Sequence, residues 1–261
     1  LLHFAKNIAY TRRIGRVLSK PRAYFERHNH FKHVMLESRP NIIVLCVESY
    51  GSIVFRDRRY SRVLAPLLAQ YEAELAEHGY AARSTFSAAP IFAGGSWLSY
   101  ASFTYGVPIN DAQLFDGLFA HSSGFESYES LFHVLKRNGY RNVLLCPLQG
   151  ADTRSIDWRM IERCFQCDET LDFAKLGYGG PCVGYFGAIG RLAPPDQYSL
   201  NLAYETARQA TPGPFSLFFC TLNSHLPWDS PVRAAPDWRV LDSPEAELET
   251  LEAAAPITDR Y

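Results

Sequence analysis

The sequence predicts a three-layer α/β/α fold with a mainly parallel central sheet. Three apolar runs, residues 41–47, 140–146 and 214–222, support this prediction. Each run lacks the polar alternation of a half-exposed strand and therefore suits a strand covered on both faces. Stretches with helical spacing separate the runs, and strands that alternate with helices are typical of parallel sheets.

Periodicity also predicts the elements between these strands. The predicted helices are 60–79, 96–105, 126–138 and 196–210, with a weaker helical stretch at 244–254. Gly79 and Gly139 follow two of them, as glycine commonly does at a helix C-terminus. Residues 80–87 suit a short strand, and the glycines and prolines of 150–195 indicate mostly loop.

Length and composition exclude several classes of protein. The chain has 261 residues, of which 47% are hydrophobic and 20% charged, as is ordinary for a globular domain. A net charge of -1, without a dense Lys/Arg stripe, gives no support for nucleic-acid binding. No segment approaches the roughly 20 apolar residues that a membrane helix needs.

The first 38 residues form a basic lead-in to a domain that we expect over residues 39–261. Its cations include Lys6, Arg12, Arg13, Arg16, Lys20, Arg22 and Arg27. Such a segment can follow a membrane span on its cytoplasmic side, or it can be an ordinary solvated helix. A start at Leu1 without a signal peptide suggests a fragment of a longer protein.

The six cysteines do not make a disulfide scaffold in a chain of this length. Half of them fall within predicted strands, where cysteine mostly acts as a small hydrophobe. These are Cys46, Cys146 and Cys220. The Cys164-Phe-Gln-Cys167 pair lacks the second half of a zinc motif, which argues against a zinc site there. With Cys182 nearby, a local disulfide is compatible with an oxidising compartment.

Three polar residues are candidate catalytic or metal-binding residues because they lie at strand ends or at a helix start. Glu48 ends the first apolar run, Ser96 begins a predicted helix, and His225 follows the last predicted strand. Ligand sites in parallel sheets gather at the carboxyl ends of strands. A carboxylate there is costly to desolvate without a cationic partner, so Glu48 is the first candidate metal ligand.

Ser96 and His225 each allow two interpretations. The glycines before Ser96 permit close backbone approach, and a helix start favours an anion beside the hydroxyl. Alternatively, Ser96 is only the helix N-cap, which contributes about 1 kcal/mol. His225 either contacts a reacting group or orients the loop after its strand through a hydrogen bond. The Gly94-Gly95-Ser96-Trp97-Leu98 segment lacks the second glycine of G-x-S-x-G, and no nucleotide-binding glycine motif occurs.

Further candidates would line such a site. Trp97 and Trp228 either form pocket walls or pack as ordinary aromatic side chains. Arg154 lies in a charged loop after the strand at 140–146, where it either clamps a phosphate with two hydrogen bonds or is solvated.

Three segments together resemble the sulfatase-like branch of the alkaline phosphatase superfamily. They are Asn41-Ile-Ile-Val-Leu-Cys-Val-Glu48-Ser49, Ala89-Pro-Ile-Phe-Ala-Gly-Gly-Ser96-Trp97-Leu98 and Thr221-Leu-Asn-Ser-His225-Leu-Pro-Trp228. Within that branch the chain is most similar to lipoteichoic acid synthases and phosphoethanolamine transferases, over about residues 39–230. The resemblance implies an alkaline phosphatase-like fold. It also assigns metal binding to Glu48 and Ser96, nucleophilic attack to Ser96, and contact with the transferred group to His225.

The activity that this resemblance implies is metal-dependent transfer of a phosphoryl or phosphoglycol group, or phosphodiester hydrolysis. One divalent cation (Mn²⁺, Zn²⁺, Mg²⁺ or Ca²⁺) would lower the pKa of the Ser96 hydroxyl. A phosphoserine intermediate would then pass its phosphoryl group to water or to an acceptor hydroxyl. His225 would donate to a non-bridging oxygen or protonate the leaving group.

The chain departs from this family in two respects. Ser96 is followed by Trp97-Leu98-Ser99-Tyr100 rather than by the proline and arginine of the sulfatase motif C/S-x-P-x-R, which favours phosphate over sulfate esters. Sulfate ester hydrolysis and a non-catalytic binding module with the same fold are the alternatives. The Asp-His pair that completes the family's metal site is missing, so we expect a chain truncated after Tyr261 and inactive as a fragment.

The resemblance also implies a substrate class and a location. The substrate is a phosphate ester, for example a phospholipid head group or an envelope glycan, and not a nucleic acid. The longer protein would be anchored in a bacterial inner membrane through a segment missing from this chain. Its catalytic domain would then lie outside the cytoplasm, in the periplasm.

Overall fold

A parallel four-stranded sheet is the centre of the computed structural model. The model describes residues 2–91, 95–119, 128–150, 162–163, 165–185, 191–210, 212–225 and 232–248. Its strands are β1 (Ile42–Cys46), β2 (Arg141–Cys146), β3 (Glu169–Asp172), β4 (Val183–Tyr185), β5 (Arg191–Ala193) and β6 (Phe215–Cys220). The main sheet has the order β1-β6-β2-β3 with all neighbours parallel, and β4 and β5 form a separate antiparallel pair.

Helices connect these strands, as the sequence predicts for a parallel sheet. They are α1 (Leu2–Ser19), α2 (Pro21–His28), α3 (Ile53–Arg56), α4 (Arg58–Glu77), α5 (Ser96–Tyr105), α6 (Ala112–Phe119), α7 (Leu131–Arg137), α8 (Phe173–Leu176) and α9 (Asp196–Ala210). Short 3₁₀ turns lie at Phe31–His33 and Trp238–Asp242. The predicted bounds of α5 and α9 are confirmed, and those of α4 differ by two residues at each end.

The middle of the sheet is buried on both faces, which confirms the three-layer prediction. On one face, Leu144 of β2 and Phe218 of β6 pack against α5, α6 and α7. On the other face, Leu217 and Phe219 of β6 pack with Ala203 of α9. Successive strand residues point to opposite faces, so the continuous apolar sequence of β6 supplies both cores.

The strand β1 differs from this prediction because only one of its faces is covered. Ile42 and Val44 pack on the core, whereas Ile43 and Leu45 are 45% and 42% exposed. In the described part of the chain, β1 is an edge strand that pairs with β6 alone. After β1 the chain forms α3 and then α4, which pack against each other. The apolar residues of α4, including Tyr71, also stay exposed.

Three stretches of the chain differ from their predicted secondary structure. Residues 80–87 form an exposed loop rather than a strand, because no neighbouring strand pairs with them in the described structure. The segment 150–195, expected to be mostly loop, also contains the elements β3, α8, β4 and β5, which are too short to give a clear periodic signal. Residues 244–248 are not helical, and the rest of that predicted stretch lies outside the described residues.

A capping box explains why α7 begins later than predicted. Ser130 Oγ accepts the backbone N–H of His133, and His133 Nδ1 accepts the backbone N–H of Ser130. These reciprocal bonds satisfy two donors at the helix start and fix it at Leu131. Residues 126–127, where the helix was expected to begin, lie outside the described part.

The basic lead-in packs on the same core as the α/β domain. Phe25 of α2 is 4% exposed and stacks on Tyr128. Asn29 Nδ2 donates to Tyr105 O at 2.7 Å and also to Glu129 O. The boundary between residues 38 and 39 stays a prediction. Within the described residues, no helix combines the length and the apolar character needed to cross a bilayer.

Candidate functional site

Glu48 lies two residues beyond β1, at the carboxyl edge of the main sheet. Its backbone N–H donates to Thr221 Oγ1 at 2.9 Å, and the backbone N–H of Thr221 donates to Cys46 O at 2.9 Å. These bonds extend the pairing of β1 with β6 past the last strand residues. Ser49 then turns the chain with φ 64°, a left-handed conformation that is uncommon for a residue with a side chain.

The carboxylate of Glu48 is held by a residue of α5. Tyr100 donates its O–H to Glu48 Oε1, and its ring packs edge-on against Phe218 with centroids 6.1 Å apart. Tyr100 is four residues after Ser96, so both side chains project from the same face of the helix, with Cβ atoms roughly 5–6 Å apart. The structure therefore brings Glu48 to α5 one helical turn from Ser96.

Ser96 is the first residue of α5, and the residue that caps the helix is Gly95. Gly95 has φ 64°, a conformation that glycine adopts without steric cost. The interpretation of Ser96 as the helix N-cap is therefore wrong. Its half-buried hydroxyl makes no hydrogen bond to any described residue. It lies beside the start of α5, where the first backbone N–H groups favour an anion. Of these groups, the N–H of Leu98 already donates to Gly95 O at 2.9 Å.

The loop after β6 is fixed by Asp196, the first residue of α9. Its carboxylate accepts the backbone N–H of Leu222 at 3.0 Å and that of Asn223 at 2.8 Å, and Asn223 Oδ1 accepts the N–H of Asp196 at 2.6 Å. Burial raises the pKa of Asp196 to about 6, against the opposite effect of these two backbone donors. The side chain therefore anchors the loop at an electrostatic cost.

His225 lies in the same loop, at the carboxyl edge of the sheet. Its backbone N–H donates to Leu222 O at 3.1 Å, which closes the turn that begins after Thr221. The hydroxyl of Thr221 also bonds that of Ser224. Thr221 thus connects the turn that carries His225 to the backbone of Glu48.

Comparison with solved structures decides the fold family. A protein of the alkaline phosphatase superfamily from Vibrio parahaemolyticus matches with a TM-score of 0.51 and 14% sequence identity. The chain has an alkaline phosphatase-like fold. The match covers 79% of this chain and 46% of that protein, so this chain spans about half its length. No protein-family model matches the sequence. A comparison with curated proteins also gave no match.

This result confirms the fold that the sequence resemblance implies. At this level of identity the alkaline phosphatase-like fold is shown alone, and the sulfatase-like branch stays a prediction. The roles of Glu48, Ser96 and His225 also stay predictions.

The described residues do not by themselves fit the metal that the resemblance implies. Among them, no three His, Cys, Asp or Glu side chains are placed to hold a metal ion. Glu48 and Ser96 offer one carboxylate and one hydroxyl, and Tyr100 already occupies one carboxylate oxygen. Divalent cations in proteins take about four to eight ligands, so this pair is too small a donor set.

Of the remaining predicted site residues, the structure describes Trp97 but not Arg154 or Trp228. The ring of Trp97 is 44% exposed and packs edge-on against Phe115 with centroids 4.7 Å apart. Arg154 and Trp228 lie outside the described residues, as does Cys164. Cys167 and Cys182 are not joined by a disulfide in this structure.

Three cysteines lie side by side on neighbouring strands at the carboxyl edge. Cys46 is paired with Cys220 across β1 and β6, and Cys146 follows Leu145, which is paired with Phe219. All three are half-buried, and Cys46 and Cys220 pack against the hydrophobic core, as expected of small hydrophobic side chains. The hydrogen bond between Cys46 and Cys220 lowers the pKa of the Cys46 thiol and, together with burial, raises that of Cys220.

An open hollow of about 590 Å³ lies elsewhere, at the amino ends of β2 and β3. Its lining includes the Arg141–Glu169 ion pair, Thr170 and Lys175. Lys175 Nζ donates to Thr170 O at 2.6 Å. The hollow is thus at the edge opposite to Glu48, where ligand sites of parallel sheets do not usually form.

Proposed function

We propose that this chain is the catalytic part of a phosphoryl or phosphoglycol transferase or phosphodiesterase that uses Ser96 as its nucleophile. The observation that supports the proposal is the hydrogen bond from Tyr100 to Glu48. It places the candidate acid against the helix of the candidate nucleophile, at the carboxyl edge where sites of this fold class lie.

In this proposal the start of α5 binds the anionic ester. The backbone N–H groups of Ser96 and Trp97, the first two of the helix, would donate to non-bridging phosphate oxygens beside Ser96 Oγ. Attack by that oxygen, whose proton passes to solvent water, would form the Ser96–phosphorus bond and break the bond to the leaving alcohol, which takes a proton from His225. Water or an acceptor hydroxyl would then displace Ser96 and complete the transfer.

The cofactor in this proposal is one divalent cation, with Glu48 and Ser96 as two of its ligands. Such a cation, when bound, lowers the pKa of the Ser96 hydroxyl and stabilises the negative charge of the ester. Because the described residues form an insufficient donor set, we place the remaining ligands outside them. The expectation of an Asp-His pair beyond Tyr261 stays a prediction.

A substrate panel with the full-length native protein tests the proposed chemistry. Its members are p-nitrophenyl phosphate, bis-p-nitrophenyl phosphate and p-nitrophenyl sulfate, each assayed before and after EDTA and after added Mn²⁺. We expect phosphate esters to react faster than the sulfate ester, with activity lost in EDTA and restored by metal. Faster release from the sulfate would support a sulfatase instead, and no turnover of any ester would support a binding module.

We further propose that the longer protein is anchored in a bacterial inner membrane, with this domain outside the cytoplasm. Its substrate would be a phospholipid head group or an envelope glycan. This proposal depends on the sequence resemblance alone. Protease treatment of intact spheroplasts should cleave the domain, and protection equal to that of a cytoplasmic marker would contradict this location.

Replacing Tyr100 with phenylalanine is expected to lower the free energy of unfolding by about 1–2 kcal/mol, because a hydrogen bond to a charged carboxylate is lost. Urea unfolding of the wild type and the variant measures the difference. Tyr71→Phe is the matched control, since Tyr71 is an exposed helical tyrosine on α4. Equal losses in both variants would show that the Tyr100–Glu48 bond does not stabilise the fold.

A further inference from the structure

The carboxyl edge of the sheet carries a chemical feature that phosphoryl transfer does not use. Cys46 ends β1, Cys220 ends β6, and these two residues are direct partners in the parallel register. In a parallel pair, residues in register project to the same face, so the two thiols meet. Both are half-buried cysteines that are not part of a disulfide in this structure, and each thiol shifts the pKa of the other.

The spacing of the two strands suits a covalent bond. Neighbouring strands lie about 4.8 Å apart. Disulfides join Cα atoms about 4.4–6.8 Å apart and need Cβ atoms about 3.8 Å apart. Cys46 and Cys220 are the last residues of their strands, where the chain leaves the regular ladder, so the required approach of the Cβ atoms disturbs little of the sheet.

We propose that Cys46 and Cys220 form a reversible disulfide that clamps the edge strand β1 to β6 next to Glu48. This disulfide would join β1 to its neighbour at the carboxyl end of both strands. Within the described residues β1 pairs with β6 alone, and its outer side chains Ile43 and Leu45 are exposed. Beyond Cys46 and Cys220, the bonds of Thr221 to Cys46 O and to Glu48 N connect the two chain segments.

The oxidant is a low-molecular-weight disulfide such as oxidised glutathione. The thiolate of Cys46 attacks one of its sulfurs and releases one glutathione thiol, which leaves a mixed disulfide on Cys46. The Cys220 thiolate then attacks the Cys46 sulfur and releases the second glutathione thiol. The protein loses two hydrogens, and the reagent gains them as two thiols.

A metal site is a weaker explanation of the same cysteines. Cys146 of β2 continues the row beside Cys220, so three thiols share one edge. Nevertheless, no three ligating side chains among the described residues are positioned around a common point. A row of thiols on neighbouring strands suits pairwise disulfide formation, whereas a zinc ion needs four ligands in a tetrahedral arrangement.

Peptide mapping tests the proposal without any substitution. The reduced full-length protein is incubated with oxidised glutathione, alkylated, digested without reductant and analysed by mass spectrometry. We expect a peptide that joins Cys46 to Cys220 and that dithiothreitol separates. A link between Cys146 and Cys220, a stable glutathione adduct on Cys46, or unmodified thiols at both positions would each overturn the assignment.

Variants and stability measurements test the clamp itself. Cys146→Ser should retain the Cys46–Cys220 link, and Cys46→Ser should lose it. Oxidation should raise the urea midpoint of the wild type and of Cys146→Ser, and dithiothreitol should reverse the shift, whereas Cys46→Ser should show none. An unchanged midpoint in a linked protein would overturn the clamp. These outcomes are independent of ester turnover, so they do not depend on the proposed function.

Discussion

Ser96→Ala is expected to reduce phosphate-ester turnover by the full-length protein on the order of 10⁴-fold or more, as removal of a covalent nucleophile does in other hydrolases. The expected cause is loss of the nucleophilic oxygen at the first residue of α5. The fold should persist, because alanine suits a first-turn helix position and the Ser96 hydroxyl bonds to no described residue.

The matched control is Ser99→Ala, the same substitution three residues later on the same helix. Stopped-time assays of both variants, with circular dichroism to verify folding, measure the effect. Mass spectrometry of acid-quenched wild type should also find phosphate on the peptide that contains Ser96. A Ser96→Ala rate equal to that of the wild type, or phosphate on another serine, would remove the nucleophile assignment.

The fold was predictable from sequence wherever an element has enough residues to show a period or a continuous apolar run. The strands β2 and β6 and the helices α5 and α9 satisfy this condition, and their predictions are confirmed. The four-residue strand β3 does not, and only its pairing with β2 reveals it. Local sequence also does not report which strand lies at an edge, so the covered second face predicted for β1 was wrong.

The candidate site was predictable in part because strand ends and helix starts can be located from sequence. Glu48, Ser96 and His225 follow such boundaries. The residues that connect them were missed, since a tyrosine inside a helix and a threonine after a strand are individually unremarkable in sequence. Tyr100 was nevertheless recoverable from its spacing, because it lies on the Ser96 face of the same helix.

Asp196 was missed for a different reason. Its position after two prolines suits an ordinary acidic residue at a helix start. Only the structure shows that its carboxylate accepts the backbone N–H groups of Leu222 and Asn223, across 26 or more positions of sequence. Such a contact depends on the packing of α9 against the end of β6.

The buried position of Asp196 leads to a pH dependence of stability with a definite sign. Its pKa is about 6 in the folded protein and roughly 3.9 in an unfolded chain, so the folded state binds more protons between these values. The raised pKa of Asp196 therefore contributes to the free energy of unfolding fully below about pH 4, and this contribution is lost as pH rises through about 6. At about 1.4 kcal/mol per pKa unit, the loss approaches about 3 kcal/mol.

Comparison with Asp196→Asn isolates this contribution, because asparagine does not ionise. Urea unfolding from pH 4 to 7 should show the stability of the wild type falling relative to that of the variant. Asp57→Asn is the opposing control: Asp57 caps α4, and hydrogen bonds from Arg59 lower its pKa. In a series extended down to about pH 2, the wild type should gain stability relative to Asp57→Asn as pH rises towards about 4, the pKa of an unfolded aspartate. A difference between wild type and Asp196→Asn that stays constant with pH would show that burial does not raise the pKa of this carboxylate.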